Sequence, residues 1–490
     1  MRFARGLWRG VVVGVLIAGM PHAAGGQGTT PTDTVRLSLE GAVRRALEES
    51  EEIALARSQV AQAEAQVSQA TSAALPYLGT SLTYNRAIRT IFDAVSPPPA
   101  DTTRIPEAFD TSLSPYDRYR VLSELLTQDM IAGLFQGLPF GRRNTYIAAV
   151  QLSQPLFAGG RIFGGIDAAR HGLVAAELRF EAAEEDVALS VHTAYLNAVL
   201  TRRLEQIAVE GLRVAEQHMR QVAAFYESGT ASEFDLLRAR VDLMNREPEL
   251  LRIRNAARLA DLELKRLVNL PADAEVLLTT DRTLPDVVVD EGRLRELAAR
   301  RPSLQAAREA VSMSEAGVQV ARAARWPTVQ LVGNFGFQAF PSNVLPPGYG
   351  EWRSDWAIAL TVSWTPFDGF ATRARVAAAQ AQHRQARLQQ QQLEELLETQ
   401  VEAALGEYRT ALAQLRARRE AVTMAERAHR LAEVRFANGL ATQLEVSDAA
   451  FQLDQARVNE VRAAHDYLNA LAQLERLSGG RLGLLTEQGP

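Results

Sequence analysis

Residues 356–366 read WAIALTVSWTP. In an extended chain Trp356, Ile358, Leu360, Val362 and Trp364 fall on one side, and Ala357, Ala359, Thr361, Ser363 and Thr365 on the other. Apolar side chains alternating with small or polar ones over about ten residues have the length and period of a transmembrane β-strand. Pro366 ends the ladder, because proline has no N–H to give it. From Ala371 to Phe436 the chain is dominated by Ala, Gln, Leu, Arg and Glu, all strong helix formers, and Gly439 closes the run. A helix of that length, at ~1.5 Å per residue, is a rod of roughly 100 Å. A membrane strand that runs straight into a rod several times longer than a bilayer is thick fits the wall of a conduit.

The same unit occurs earlier in the chain. At an offset of 210 residues, Phe157 and Gly159 match Phe367 and Gly369, Val191 matches Val401, Gly229 matches Gly439, and Leu264, Arg266 and Leu267 match Leu474, Arg476 and Leu477. At an offset of 251, Ile53 matches Leu304, Ala56 matches Ala307, Pro76 matches Pro327 and Tyr84 matches Phe335. The difference of 41 residues falls in a loop of about 87–145, between the two strands of the first copy. Long loops on one side of a membrane barrel are the external ones. Each copy therefore reads helix, strand, loop, strand, long helix, glycine turn, return helix.

In the first copy the pattern predicts a helix over Leu39–Leu75, strands from Leu78 and over Tyr146–Phe157, a long helix over Ile162–Glu227 and a return helix from Ser232 to Leu267. In the second it predicts a helix over Arg293–Arg325, strands over 327–337 and 356–365, a long helix over 371–437 and a return helix over 442–477. The chain divides into a first repeat (27–270), an inter-repeat segment packed outside the helices (271–290), a second repeat (291–478) and a tail (479–490). Pro76, Pro155, Pro327 and Pro366 mark the four strand–helix junctions. Trp326 and Trp364 stand at the helix-side end of the strands and Trp352 and Trp356 near the loop end, the placement of two aromatic girdles.

Composition narrows the function. With 53 basic and 58 acidic residues the net charge is -5, which argues against a nucleic-acid surface. The absence of cysteine excludes thiolate metal sites, thiol nucleophiles and disulfides. Arg2, Arg5 and Arg9, the apolar run Val11–Met20 and the small residues Ala23–Gly26 read as a cleaved signal peptide over residues 1–26. Without a cysteine to acylate, the mature chain is not a lipoprotein. No window of 18 consecutive apolar residues follows, so residence in a membrane requires a closed β-barrel. The histidines are scattered and carry no HExxH, and no Walker loop or G-x-S-x-G elbow occurs, so no enzyme chemistry, cofactor or metal site is expected.

Within the second long helix Val401, Tyr408, Leu415 and Val422 recur every seven residues, as a coiled-coil seam does. Taken alone, the helices fit a periplasmic coiled-coil adaptor or structural protein as well as a tube. The strands separate the two readings. Four strands cannot close a barrel, since small barrels begin at about eight. An open edge cannot face lipid. Two chains supply eight strands and three supply twelve, so oligomerisation is a physical requirement of the membrane reading.

At the far end of the rod the turns read FYESGTASEFDLL and RFANGLATQLEVSDAA. Gly229 and Gly439 supply the left-handed residue that ends a long helix. Ser232 with Asp235, and Thr442 with Glu445, are capping boxes. Glu445 and Asp448 lie three apart on one helix face, and in a symmetric assembly they form acidic rings that attract cations and repel anions.

The duplicated order, the junction prolines and the turn R-[FY]-x-x-G-x-x-x-x-L-[DE]-x-x-D-A at Arg435–Ala449 resemble the TolC-type outer-membrane efflux protein family over essentially the whole mature chain. The resemblance implies a mainly α fold with a membrane β-barrel: a homotrimer whose 12-stranded barrel in the outer membrane continues into an α-helical tunnel through the periplasm. It implies a periplasmic adaptor and an inner-membrane pump as partners, and export rather than catalysis. By position, Glu445 and Asp448 correspond to the family's acidic constriction, and Gly229 and Gly439 to the tip turns that meet the adaptor. The family's tyrosine and arginine lock near the second turn is replaced by Phe436 and Ala441, while Asp235 keeps the opposing carboxylate.

Overall fold

The computed structural model describes residues 35–89, 105–136, 142–279, 287–341, 343–438 and 440–480. The expected signal peptide, most of the C-terminal tail and Gly439 lie outside them.

The chain runs β1 (Val35–Leu37), α1 (Leu39–Glu49), α2 (Glu51–Ser72), β2 (Tyr77–Arg86), α3 (Ile105–Phe109), α4 (Pro115–Gln136), β3 (Asn144–Phe157), α5 (Arg161–Glu227), α6 (Glu233–Leu267) and β4 (Val276–Leu278). It continues through α7 (Glu291–Ala298), α8 (Pro302–Ala323), β5 (Thr328–Ala339), β6 (Arg353–Ser363), α9 (Ala371–Ala437) and α10 (Gln443–Leu477). The duplication is kept to the residue. Helices α2 and α8 are 22 residues each, α5 and α9 are 67, and α6 and α10 are 35.

Three features depart from the sequence pattern. The expected helix Leu39–Leu75 is two helices, broken at Ser50, which is extended (φ −70, ψ 145) and caps the Ile53 N–H with its hydroxyl at 3.3 Å. Arg301 breaks the second copy in the same conformation (φ −61, ψ 143), with Pro302 opening α8. The loop of about 87–145 contains α3 and α4, and the start of α4 is fixed by the Ser114 hydroxyl, which accepts from the Asp117 N–H at 3.1 Å and donates to the Asp117 carboxylate at 2.6 Å. Pro155 lies inside β3 rather than at a junction. It occupies a bulge opposite Gln330, where the absent N–H breaks no ladder bond.

Strands β2, β3, β5 and β6 form one antiparallel sheet in that order. Its register sets whole rows of like residues side by side. Leu78, Leu152, Gly333 and Ile358 form one row, and Thr80, Val150, Phe335 and Trp356 the next. The rows that alternate with these are Gly79, Gln151, Asn334 and Ala357, then Ser81, Ala149, Gly336 and Asp355. Thus the apolar face of every strand is the same face of the sheet. Strands β2 and β6 are its two edges.

The packed core lies far from the sheet, halfway along the long helices. In the first copy Val187, Val191, Ala194 and Tyr195 of α5 close on Leu264 and Leu267 of α6 and on Leu39, Ala42 and Ala46 of α1. In the second copy Val401, Ala404, Leu405 and Tyr408 of α9 close on Leu474 and Leu477 of α10 and on Leu294 and Ala298 of α7. Strand β1 pairs in parallel with β4 outside the first core. The Tyr195 hydroxyl holds this belt by donating to the Leu37 carbonyl at 3.1 Å. Tyr408 does the same to the Val287 carbonyl. The seven-residue seam of α9 is buried at Val401, Tyr408 and Leu415, as its spacing requires.

The halves join where α5 meets α8. Gly159 precedes α5 with φ +61, and a Cβ there would lie 2.6 Å from the Ala323 carbonyl oxygen and 2.7 Å from the Trp326 Cβ. Gly159→Ala should therefore cost about 2–3 kcal/mol, from left-handed strain plus overpacking. Gly369→Ala, at φ +66 with no atom of the described residues within 4 Å of the added Cβ, should cost the strain alone in the isolated chain. Thermal unfolding of the two variants refolded as single chains in detergent tests the difference, and equal losses would contradict it.

Candidate functional site

Two regions can act on other molecules: the apolar sheet and the helical tips. On the sheet every residue of β6 is exposed in the single chain. Trp326, Trp356 and Trp364 are exposed, and Trp352 is half-buried. Trp356 and Trp364 share a face eight residues apart, which at ~3.3 Å per residue spans about 26 Å along the strand. That is close to the ~25 Å apolar band of an outer-membrane barrel. The Trp364 Nε1–H donates to the Arg325 carbonyl at 3.3 Å, tying the helix-side ring to the end of α8. Pro76, Pro327 and Pro366 lie between strand and helix. Residue 370, before α9, is a phenylalanine at φ 68 where the first copy has Gly160. Its ring stacks edge-on against Phe367 at 5.5 Å, so an aromatic pair is kept there against backbone strain.

At the tips, Gly229 takes φ +75 and the Thr230 N–H returns to the Phe225 carbonyl at 2.8 Å, the hydrogen bonding of a helix C-terminus. Both capping boxes form. Asp235 accepts from the Ser232 hydroxyl at 2.6 Å and the Ser232 N–H at 3.2 Å. These bonds, the hydroxyl first, hold its carboxyl below the usual carboxylate range. Glu445 accepts from the Thr442 hydroxyl at 3.2 Å and N–H at 3.3 Å, and lies 3.8 Å from Arg435. Arg435 also donates to the Leu440 carbonyl at 3.1 Å. Asp448 is exposed one turn further along the helix, and Phe436 is half-buried. The structure therefore brings Asp235 to Ser232, and Glu445 to Thr442 and Arg435, within their own hairpins.

The contacts that join the two hairpins lie further from the tip. Arg246 of α6 reaches Asp454 of α10 at 3.4 Å, passing over α5 at Gly211. A Cβ on Gly211 would come within 2.7 Å of the Arg246 Nη1. His218 of α5 meets the Ser447 hydroxyl of α10 at 3.3 Å. Burial pushes the His218 imidazole down, Asp242 opposes that shift and Arg246 reinforces it. Sequence reasoning did not find these ties. The readable signal was Gly211, a helix-weakening residue inside a run of good helix formers.

Among the described residues no group of three or more His, Cys, Asp or Glu is arranged to hold a metal ion. Among them, too, no helix is long and apolar enough to cross a membrane.

Residues 129–270 and 294–480 match the family described as outer membrane efflux protein. Curated relatives include Protein CyaE of Bordetella pertussis, 28% identical over 52% of this chain and 54% of its own. The pyoverdine export outer membrane protein OpmQ of Pseudomonas putida is 27% identical over 64% of this chain and 66% of its own. The alkaline protease secretion protein AprF of Pseudomonas aeruginosa is 25% identical over 69% and 70%. The matched stretch thus spans about half to two thirds of the first two relatives. Among solved structures, a membrane protein from Pseudomonas aeruginosa superposes with a TM-score of 0.71 at 22% identity, covering 90% of this chain and 93% of that one. The outer membrane protein VceC of Vibrio cholerae does so with 0.70 at 19% identity, covering 90% and 96%. These likenesses show a shared fold.

Proposed function

Because the chain belongs to the outer membrane efflux protein family, we propose that it is the passive exit duct of an efflux or type I secretion system. In this reading a homotrimer closes twelve strands into a barrel in the outer membrane, and the long helices continue it as a tunnel into the periplasm. A periplasmic adaptor and an inner-membrane pump dock at the tips around Gly229 and Gly439. The observation that carries the reading is the four-stranded sheet: one predominantly apolar face, two unpaired edges, and a 67-residue helix following both β3 and β6. Lipid admits such a sheet only when its edges are closed.

The duct supplies no energy. Its contribution is a sealed path and a constriction. Glu445 and Asp448, repeated around the axis, place carboxylates at the narrow end, with Arg435 beside Glu445 tempering the charge. Asp235 keeps the cap of its own helix, and Phe436 has no hydroxyl with which to lock to it. The cargo class follows the relatives only loosely, since one is named for pyoverdine export and another for alkaline protease secretion.

Planar-bilayer conductance of the purified protein tests the constriction. Glu445→Ala combined with Asp448→Ala should lower cation-over-anion selectivity several-fold and relieve block by polyvalent cations. Unchanged selectivity would remove both residues from the pore wall. The variant also loses half of the Thr442 capping box, so Glu445→Gln with Asp448→Asn, which keeps a hydrogen-bonding side chain at residue 445, serves as the matched control.

A further inference from the structure

The two halves of the chain are fitted together by a seam between α5 of the first copy and α8 and α10 of the second. The duplication turns this seam into a template. Moving α5 to its repeat, α9, moves α8 and α10 to α2 and α6, and the only α2 and α6 free to meet that face of α9 belong to another copy of the chain.

At the centre of the internal seam Glu185 of α5 enters a corner made by Arg301, Arg476 and Gly479. Arg301 donates to its carboxylate at 2.9 Å, and the Glu185 oxygen lies 3.1 Å from where a Cβ on Gly479 would be. The repeats of those three residues are Ser50, Arg266 and Asn269. All three line a cavity of about 390 Å³. Asn269 even keeps the left-handed backbone of Gly479, at φ 51 against φ 70. Where Arg301 fills the corner, Ser50 leaves it open, and the repeat of Glu185 is Glu395, which is exposed.

We infer that this cavity is the seat for Glu395 of a second copy, and that the surface around it is the subunit seam. Arg266, which in the single chain pairs with Glu263 at 2.8 Å, and the neighbouring Lys265 offset the Glu51 and Glu52 that also line the cavity. The inference rests on the oligomeric reading above and assigns its residues. Three independent places along the chain agree. Gly159 is crowded by Ala323 and Trp326, whereas its repeat Gly369 has nothing among the described residues within 4 Å, as if its neighbours Ser72 and Leu75 came from elsewhere. The polar contact of His218 with Ser447 maps onto Ala428 and Leu237, and the contact of Gly211 with Asp454 maps onto Ala421 and Met244. Leu237 and Met244 are 50% and 63% exposed in the single chain, which suits apolar residues waiting for a cover. In the sheet, the pairing of Leu152 with Gly333 maps onto Val362 opposite Leu82 of the next copy, joining the two free edges. Around the ring, seams in which Arg301 holds the carboxylate then alternate with seams in which Arg266 holds it and Ser50 stands in place of Arg301.

The chain has no cysteine, so introduced thiols report without background. Ser50→Cys with Glu395→Cys, in the full-length protein in its membrane, should be bridged between chains by a short thiol–thiol crosslinker and yield covalent oligomers. Arg301→Cys with Glu185→Cys, the same geometry inside one chain, should be bridged without any gain in mass. Asn255→Cys with Glu407→Cys repeats the contact of His465 with Asn197 on exposed positions, and should also bridge between chains if the buried pair impairs folding. Particle size before crosslinking separates the possible failures. An oligomer in which neither interchain pair is bridged overturns the seat and leaves the duct standing. A single-chain particle overturns both.

Discussion

Leu360→Arg is expected to remove the protein from the outer membrane, while Thr361→Arg, one residue on, should insert normally. Leu360 stands midway between Trp356 and Trp364 on the apolar face, in a row with Gln154 and Leu331. Midway between the girdles is the middle of the bilayer, where an arginine on the lipid face costs about 2–4 kcal/mol per chain. In a closed ring every copy carries that cost, and the totals add because the sites are far apart. Thr361 pairs with Gln330 on the opposite face. There an arginine meets the lumen, so the change should appear as altered conductance rather than lost insertion. Recovery of detergent-extracted oligomer from the outer-membrane fraction reads the contrast. Equal recovery would mean that the apolar face is not the lipid face. A coiled-coil adaptor, the competing reading of the helices, would be indifferent to both substitutions and would be extracted without detergent.

Arg301→Ala should be the most damaging single change in the helical part. The Arg301 and Glu185 side chains are only 5% and 14% exposed, and they meet at 2.9 Å. Removing Arg301 takes from the buried Glu185 carboxylate its hydrogen-bonded cation, at about 3–5 kcal/mol. Even with the arginine present, burial is the largest influence on Glu185 and raises its pKa above 4.5, while the Arg301 hydrogen bond and charge pull it back. Burial thus works against the charged form of Glu185, and Arg301 offsets it. A carboxyl whose pKa is raised by folding favours the native state below its unfolded value, and that contribution is lost as pH rises through the folded value. Without Arg301 the raise is larger. The deficit of the variant should thus be greatest near neutral pH and shrink as pH falls toward 4.5, where the natural chain also loses the anion that faces Arg301. Glu185→Gln in the Arg301→Ala background should recover much of the loss. Thermal unfolding across that pH range checks it, and a deficit independent of pH would assign the effect to lost packing instead.

What could be read from the sequence was whatever rests on periodicity. The alternation from Trp356 to Trp364, the seven-residue spacing of Val401, Tyr408 and Leu415, and the offsets of 210 and 251 all reappear in the structure, the offsets to the residue. A period is a local property repeated, so it survives without knowledge of the tertiary fold. The breaks at Ser50 and Arg301 do not show in the periodicity, because one extended residue hardly disturbs an apolar pattern. The local marks were nonetheless present, a serine before two glutamates and an arginine before a proline. Helices α3 and α4 were hidden by the polar composition around them, although Ser114 and Asp117 spell a helix start. The bridge between Arg301 and Glu185 spans 116 residues of chain, and that between Arg246 and Asp454 spans 208. Such contacts depend on how helices align side by side, which no single-helix pattern encodes.

Asp235 and Glu445 carry two possible roles by sequence, a cap for their own helix and a partner across the tip. The structure places both in their own capping boxes, so any gating contact must form in competition with a helix cap worth about 1 kcal/mol.

All of this depends on a sheet that one chain leaves unclosed. The mass of the particle extracted from membranes in mild detergent, measured by native mass spectrometry, tests that point most directly. A closed homotrimer gives three times the mass of the mature chain, and a pore when the same particle is placed in a bilayer. A stable particle of one chain, forming no pore, would contradict it.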